Sequence, residues 1–264
     1  MDIVIQAAAT TSGAKDIVSK PYIHVNDNAI INSIITKASF DYGVKHFIFF
    51  SCTVMYNTSN LKHSETSRNL IKENSSEILK LVRKAGIKWL ALGIESGDKS
   101  VRLEVDKGKF EDVDVQKVIQ KVHEADINVM ANYIYGLPGD TKKTIKKTFD
   151  LSLELCTAGW NTYGAMALPG SLLYKKALED STPLPETYEG YSFHSYETLP
   201  LPTETLTAKD VISLRDKAFH EYHNHKPFLE LIERKFGKKA AKNIVEMTKI
   251  KLKRKIKGDS NTSI

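Results

Sequence analysis

The sequence predicts an α/β protein built of parallel βα units and closed by a helical C-terminal region. Three observations carry that expectation. Short apolar, β-branched runs alternate strictly with segments of helical spacing, which is the pattern of parallel sheets and barrels. Each helical segment ends at or near a glycine or a polar turn. After residue 205 the strand pattern stops and three helical segments follow in succession.

Residues 3–9 (IVIQAAA) read as a buried strand that ends in small residues. Ala29, Ile30, Ile34, Ile35 and Ala38 recur at helical spacing over residues 26–42, and Gly43 holds the stop position. Residues 46–51 (HFIFFS) form a second strand, so β-loop-α-β order makes the pair parallel. Residues 57–69 are polar and turn-like. A second series then predicts a helix at 75–85, a strand at 88–95, a helix at 112–125 and a strand at 127–136. A helix at 141–157, a strand at 160–168 and a short helix at 171–179 continue it. Residues 181–205, rich in Pro, Tyr and Ser, read as an irregular crossing; helices at 207–223, 227–236 and 238–256 close the chain.

Composition bounds the function. In 264 residues, 41% are hydrophobic and 27% charged, as in ordinary globular domains. No run reaches the roughly 18 apolar residues of a membrane span. The N-terminus has no basic region before its apolar run, so it reads as a strand and not as a signal peptide. Two cysteines, Cys52 and Cys156, exclude a disulfide framework and suit a reducing, cytoplasmic setting. Residues 234–257 hold eleven Lys/Arg against one acid, Glu246, a local +10 in a chain of +6, leaving the remainder at −4. Such a run reads as a solvated helix face or tail, and neither nucleic acid nor a membrane is the expected partner.

The first segment resembles one enzyme family. Val4-Ile5 followed by Ala7, Ala8 and Ala9, then Pro21, Asn28 and Asn32, then HFIFFSCTVMY, resemble the NAD-dependent epimerase/dehydratases, specifically GDP-L-fucose synthase. The resemblance covers residues 1–66 and implies a partial Rossmann-like βαβ fragment. It implies NAD(P) contact along Ala7–Ala9 and a catalytic hydroxyl or thiol among Ser51, Cys52 and Thr53; those three positions equally suit polar residues at a strand end. The Gly-rich turn that cradles pyrophosphate is absent, so the NADP expected for that family lacks its main support. Tyr222-x-x-x-Lys226 matches the family's Tyr/Lys pair in letters, far downstream, and reads as coincidence.

From about residue 68 the chain resembles a second family. The segment EILKLVRKAGIKWLALGIESG, then INVMANYIYGLPGDT, then YGAMALPGSLLY, resemble the fourth to sixth βα units of radical SAM enzymes of the cobalamin-binding type. That resemblance implies S-adenosylmethionine (SAM) held by Glu95 and Ser96 at a strand end, where a carboxylate can accept the ribose hydroxyls. It further implies that Gly136, Pro138 and Gly139 allow the backbone to approach the adenine, with Asp140 and Thr141 capping the next helix. The family's 4Fe–4S cluster takes three thiolates from Cys-x-x-x-Cys-x-x-Cys, which this sequence lacks.

The organisation expected is therefore a fusion near residue 67. Residues 1–66 form the Rossmann-like fragment, 67–180 a radical SAM half-barrel, and 181–264 a mostly helical extension with a basic tail. The expected activity is that of the C-terminal part of a radical SAM enzyme, catalytically incomplete alone. A nucleotide-sugar epimerase/reductase fragment is the alternative. The partners expected are a small nucleotide cofactor and a separate chain bearing the cluster. His220, His223 and His225 read as a polar helix end and not as a metal site, since 225 leaves the face shared by the other two.

Overall fold

The computed structural model describes residues 2–10, 21–49, 75–84, 86–104 and 114–260. Ser51, Cys52 and Thr53 lie outside these. The chain divides into two compact units, Met1–Asn57 and Thr58–Ile264.

In the first unit, strand β1 (Ile3–Gln6) pairs in parallel with β2 (His46–Phe49), joined through helix α1 (Pro21–Asp41). The β-loop-α-β order holds, but the burial differs from expectation. Ile3 and Ile5 are 56% and 60% exposed, and Ile30 and Ile34 on α1 are similarly open. The covered stripe of α1 is Asn28, Ile31, Asn32, Ile35 and Ser39, polar at three of five positions. Its polar members hold the chain after β1. The Gln6 amide donates to Asn32 Oδ1 (3.0 Å), and Asn28 Oδ1 accepts from the Thr10 N–H (2.7 Å). Ala7, Ala8 and Ala9 are exposed and follow the end of β1.

The second unit contains a parallel sheet in the order β3-β4-β5: β3 (Trp89–Glu95), β4 (Asn128–Tyr135) and β5 (Gly159–Gly164). Helix α2 (Ser75–Lys84) precedes β3, and α3 (Lys99–Glu104) and α4 (Val115–Glu124) lead to β4. Helix α5 (Lys142–Leu155) joins β4 to β5, and α6 (Leu172–Glu179) follows. The C-terminal helices are α7 (Ala208–His223), α8 (Lys226–Phe236) and α9 (Lys238–Thr248).

Strand β4 fixes the layering. Val129, Ala131, Tyr133 and Tyr135 are at most 1% exposed, while the alternating Asn128, Met130, Asn132 and Ile134 are half-buried. The period of two gives the sheet two unlike faces. One face is covered: the core joins Leu92, Val129, Tyr133 and Trp160 to Ile119 and Val122 of α4, Ile145 of α5, Val211 and Tyr222 of α7, and Phe228 and Ile232 of α8. Trp160 stacks on Tyr222 with centroids 5.0 Å apart, and the Tyr222 hydroxyl donates to Thr157 O (2.8 Å). Tyr222 is thus a core anchor, and its spacing to Lys226 has no catalytic geometry. His223 lies in the same aromatic group, its Nδ1 2.8 Å from Phe219 O.

The last helix is shorter than expected, while nine of the eleven basic residues of 234–257 are exposed, as a solvated face requires. Helix α9 ends at Thr248, because Lys249-Ile250-Lys251-Leu252-Lys253 alternates with a period of two and would place lysines four apart on a helix. The segment that follows is exposed at residues 249–253 and tied down at Arg254. Arg254 is fully buried, its Nε and Nη2 donating to the two oxygens of Asp216 at 3.1 and 2.8 Å and its Nη1 to Ser195 O at 2.8 Å. A bidentate guanidinium–carboxylate pair is the arrangement in which a buried arginine is tolerated. No helix among the described residues is long and apolar enough to cross a membrane.

Candidate functional site

The C-terminal ends of β3, β4 and β5 converge on one rim, the position where parallel α/β folds carry ligands. Its floor is a small apolar cluster of Val101 from α3, Leu137 from the turn after β4 and Ala165 after β5, with Ile134 packed against it. Below it, the uncovered face of the sheet carries a polar network. Asn132 Oδ1 accepts from Asn161 Nδ2 (3.2 Å) and from the Tyr163 hydroxyl (3.4 Å). Tyr163 also meets Phe193 edge-on at 5.1 Å, so one aromatic of the irregular crossing reaches the edge of this face.

Glu95 ends β3 with φ +66°, a left-handed backbone for a residue with a Cβ. The pairing of β3 with β4 is irregular between Gly93 and Glu95, and the Glu95 side chain is half-buried. An L-residue in this region costs about 1–2 kcal/mol, so the surrounding structure must impose it.

Ser96, expected to meet a cofactor, is fully buried and engaged within the protein. The Thr148 hydroxyl donates to Thr144 O (3.0 Å), which leaves Ser96 Oγ to donate to Thr148 Oγ1 (3.1 Å). Ser96 Oγ accepts the Asp98 N–H (3.1 Å), and Thr148 accepts the Gly97 N–H (2.9 Å). The turn is thereby stitched to α5. A Cβ on Gly97 would stand 2.8 Å from Lys147 O, so only glycine lets this turn approach the helix so closely. Asp98 starts α3: its carboxylate accepts from Lys147 Nζ (2.6 Å) and from the N–H (3.0 Å) and hydroxyl of Ser100. The Lys147 and Ser100 hydrogen bonds hold its pKa down at about 2.

The turn after β4 is held by bonds within the chain. Pro138 and Gly139 (φ +79°) occupy the two central positions, and the Asp140 N–H donates to Leu137 O (2.9 Å), as a type II turn requires. Gly136 has φ +81°, and a Cβ there would lie 2.8 Å from Val211 Cγ1. The space that glycine leaves is filled by α7. The Gly136 and Leu137 N–H groups both donate to Asp140 Oδ2 (3.0 and 3.1 Å). Burial raises the Asp140 pKa, while its hydrogen bonds from Thr144, Leu137 and Gly136 act the other way. Thr141 caps α5 in a reciprocal box with Thr144, as the sequence implied.

Comparison with known proteins decides the family. The profile described as the radical SAM superfamily matches residues 21–152, half of the chain. The chain belongs to the radical SAM superfamily. A curated relative, the anaerobic magnesium-protoporphyrin IX monomethyl ester cyclase of Cereibacter sphaeroides, is 30% identical over 93 residues. That alignment covers 34% of this chain and 15% of the cyclase, so the chain spans a small part of that relative's length. Among solved structures, the coproporphyrinogen III oxidase of Escherichia coli aligns with 16% identity and a TM-score of 0.41. It covers 60% of this chain and 34% of the oxidase.

This result corrects the expected organisation. The radical SAM match begins at Pro21 and runs across the fusion point expected near residue 67. The resemblance of residues 1–66 to GDP-L-fucose synthase finds no support in it, nor does a nucleotide-sugar activity.

The family uses SAM and a 4Fe–4S cluster, and the residues present suit these two groups differently. For the cluster they do not fit. The chain has two cysteines, fewer than the three thiolates required. Cys156 sits at the C-terminal cap of α5 with its pKa raised by burial, opposite to what a thiolate ligand needs. For SAM the rim offers a strand-end carboxylate, Glu95, beside an amide-lined face. Those are acceptors for a ribose diol and partners for a polar nucleoside.

Proposed function

We propose that this radical SAM chain binds SAM at the C-terminal ends of β3, β4 and β5, with Glu95 accepting the ribose hydroxyls. The observation that supports this most is the left-handed backbone of Glu95 at the end of an otherwise regular strand. Strain of this kind is retained where a side chain must be held in one place, and it clusters at ligand sites. The amides of Asn132 and Asn161 line the adjoining face. The turn Gly136–Gly139 forms the adenine end through its surface, since the Gly136 and Leu137 N–H groups are taken by Asp140. Ser96, buried and bonded to Thr148, positions this rim.

In this reading the chain is the cofactor-holding part of a radical SAM enzyme and is catalytically incomplete alone. The three cluster thiolates are not among its residues, and the cobalamin-dependent type is supported by the sequence resemblance alone. Anaerobic iron–sulfur reconstitution of the purified protein tests it, read by absorbance at about 400 nm, the region of cluster thiolate-to-iron bands. No stoichiometric cluster and intact SAM are expected. A full cluster with 5′-deoxyadenosine release would overturn the reading.

A further inference from the structure

A concavity lies apart from the strand-end rim, between the outer face of α7 and the segment that follows α9. Its volume is about 800 Å³, within the range of sites for small organic ligands. Phe219, Met247, Ile250 and Leu252 supply its apolar lining, and the last three are 40%, 67% and 38% exposed. Large apolar side chains left open together in a concavity mark a binding surface more often than chance exposure does.

The charge around it is one-sided. Of its two lining acids, Asp216 has its carboxylate taken by Arg254 and by Lys257 Nζ (2.8 Å). Asp259 accepts the Arg254 N–H (2.8 Å). Lys217 has only a long pair with Glu221 (3.6 Å), and Lys251 has no ion pair among the described residues. The buried Arg254 clamp pins residues 250–254 beside α7 and so keeps the cleft formed. Ile250, Lys251, Leu252 and Lys253 all line the cleft, so apolar and basic groups border it together.

We propose that this cleft binds an amphipathic anion: a small molecule with an apolar, ring-sized body and a carboxylate, sulfonate or phosphate group. The body lies on Met247, Ile250 and Leu252, and the anionic group meets Lys251. The proposal is independent of SAM binding, because the cleft shares no lining residue with the strand-end rim.

Fluorescence titration of the full chain with 8-anilinonaphthalene-1-sulfonate tests it. One saturable site is expected, weakened by added salt because the lysines are exposed. Lys251→Glu and Leu252→Asp should each weaken it by about tenfold, while circular dichroism shows both variants folded. N-phenyl-1-naphthylamine, which has the rings without the sulfonate, should bind about tenfold more weakly than the anion. Undiminished sulfonate binding in both variants would overturn the proposal, as would equal affinity for the neutral probe. Sedimentation with phosphatidylserine vesicles without a saturable site would assign the surface to a membrane instead and overturn it too.

Discussion

The two faces of the β3-β4-β5 sheet are made by the same strands and do opposite things. On the covered face of β4, Val129, Ala131, Tyr133 and Tyr135 vanish under four helices. On the other face, Asn132 is bonded to neighbours at 3.2–3.4 Å and stays half-buried. Residues of the first kind hold the fold through buried apolar area, roughly 25 cal/mol per Å². Residues of the second kind add little to stability and offer hydrogen-bonding groups where the strands end. A period of two is enough to separate the two tasks along one strand.

The comparison is broken most severely at Trp160. Trp160→Ala should cost about 3–5 kcal/mol, as truncation of a buried aromatic does, and denaturant unfolding would read it. Trp160→Phe should cost far less, since the Trp160 Nε1 has no hydrogen-bond partner among the described residues. Gly136→Ala comes next, at about 2–3 kcal/mol, combining a positive φ with a clash on Val211. Adding Val211→Ala should recover the steric part and leave the backbone part, which thermal denaturation of the double variant would resolve.

A smaller effect is expected at the rim. Asp98 has a folded pKa of about 2 against an ordinary 3.8, so its contribution is complete above pH 3.8 and is lost as pH falls through 2. With Lys147 half-exposed, that contribution is about 1–2 kcal/mol. Asp98→Asn should flatten the acid limb of the stability curve by that amount; an unchanged limb would count against the Asp98–Lys147 pairing. On the open face, Asn132→Ala should change stability by less than about 1 kcal/mol.

How much of this was legible in the sequence follows from the range of each interaction. The strands β3, β4 and β5 were readable to within a few residues, because alternation and β-branched runs are local signals. Helix α3 was missed, although Asp98 two residues before Ser100 is a helix-start signal. The exposed Ile30 and Ile34 misled, since periodicity identifies a helix and says nothing of which face is covered. The roles of Ser96, Gly136 and Arg254 were hidden for a common reason: their partners Thr148, Val211 and Asp216 lie 38 or more residues away in sequence. Glu95 was found by its place at a strand end, but its left-handed backbone belongs to the folded state alone.

SAM titration of the wild-type chain beside Glu95→Gln and Glu95→Gly, followed by calorimetry, tests the central claim most directly. The wild type should bind SAM at one site, and both variants should bind at least about tenfold more weakly. Glu95→Gly should meanwhile unfold at higher denaturant than Glu95→Gln, because glycine relieves the left-handed strain. SAM binding of equal strength in all three proteins, or none in the wild type, would contradict the assignment of Glu95 and of the strand-end rim.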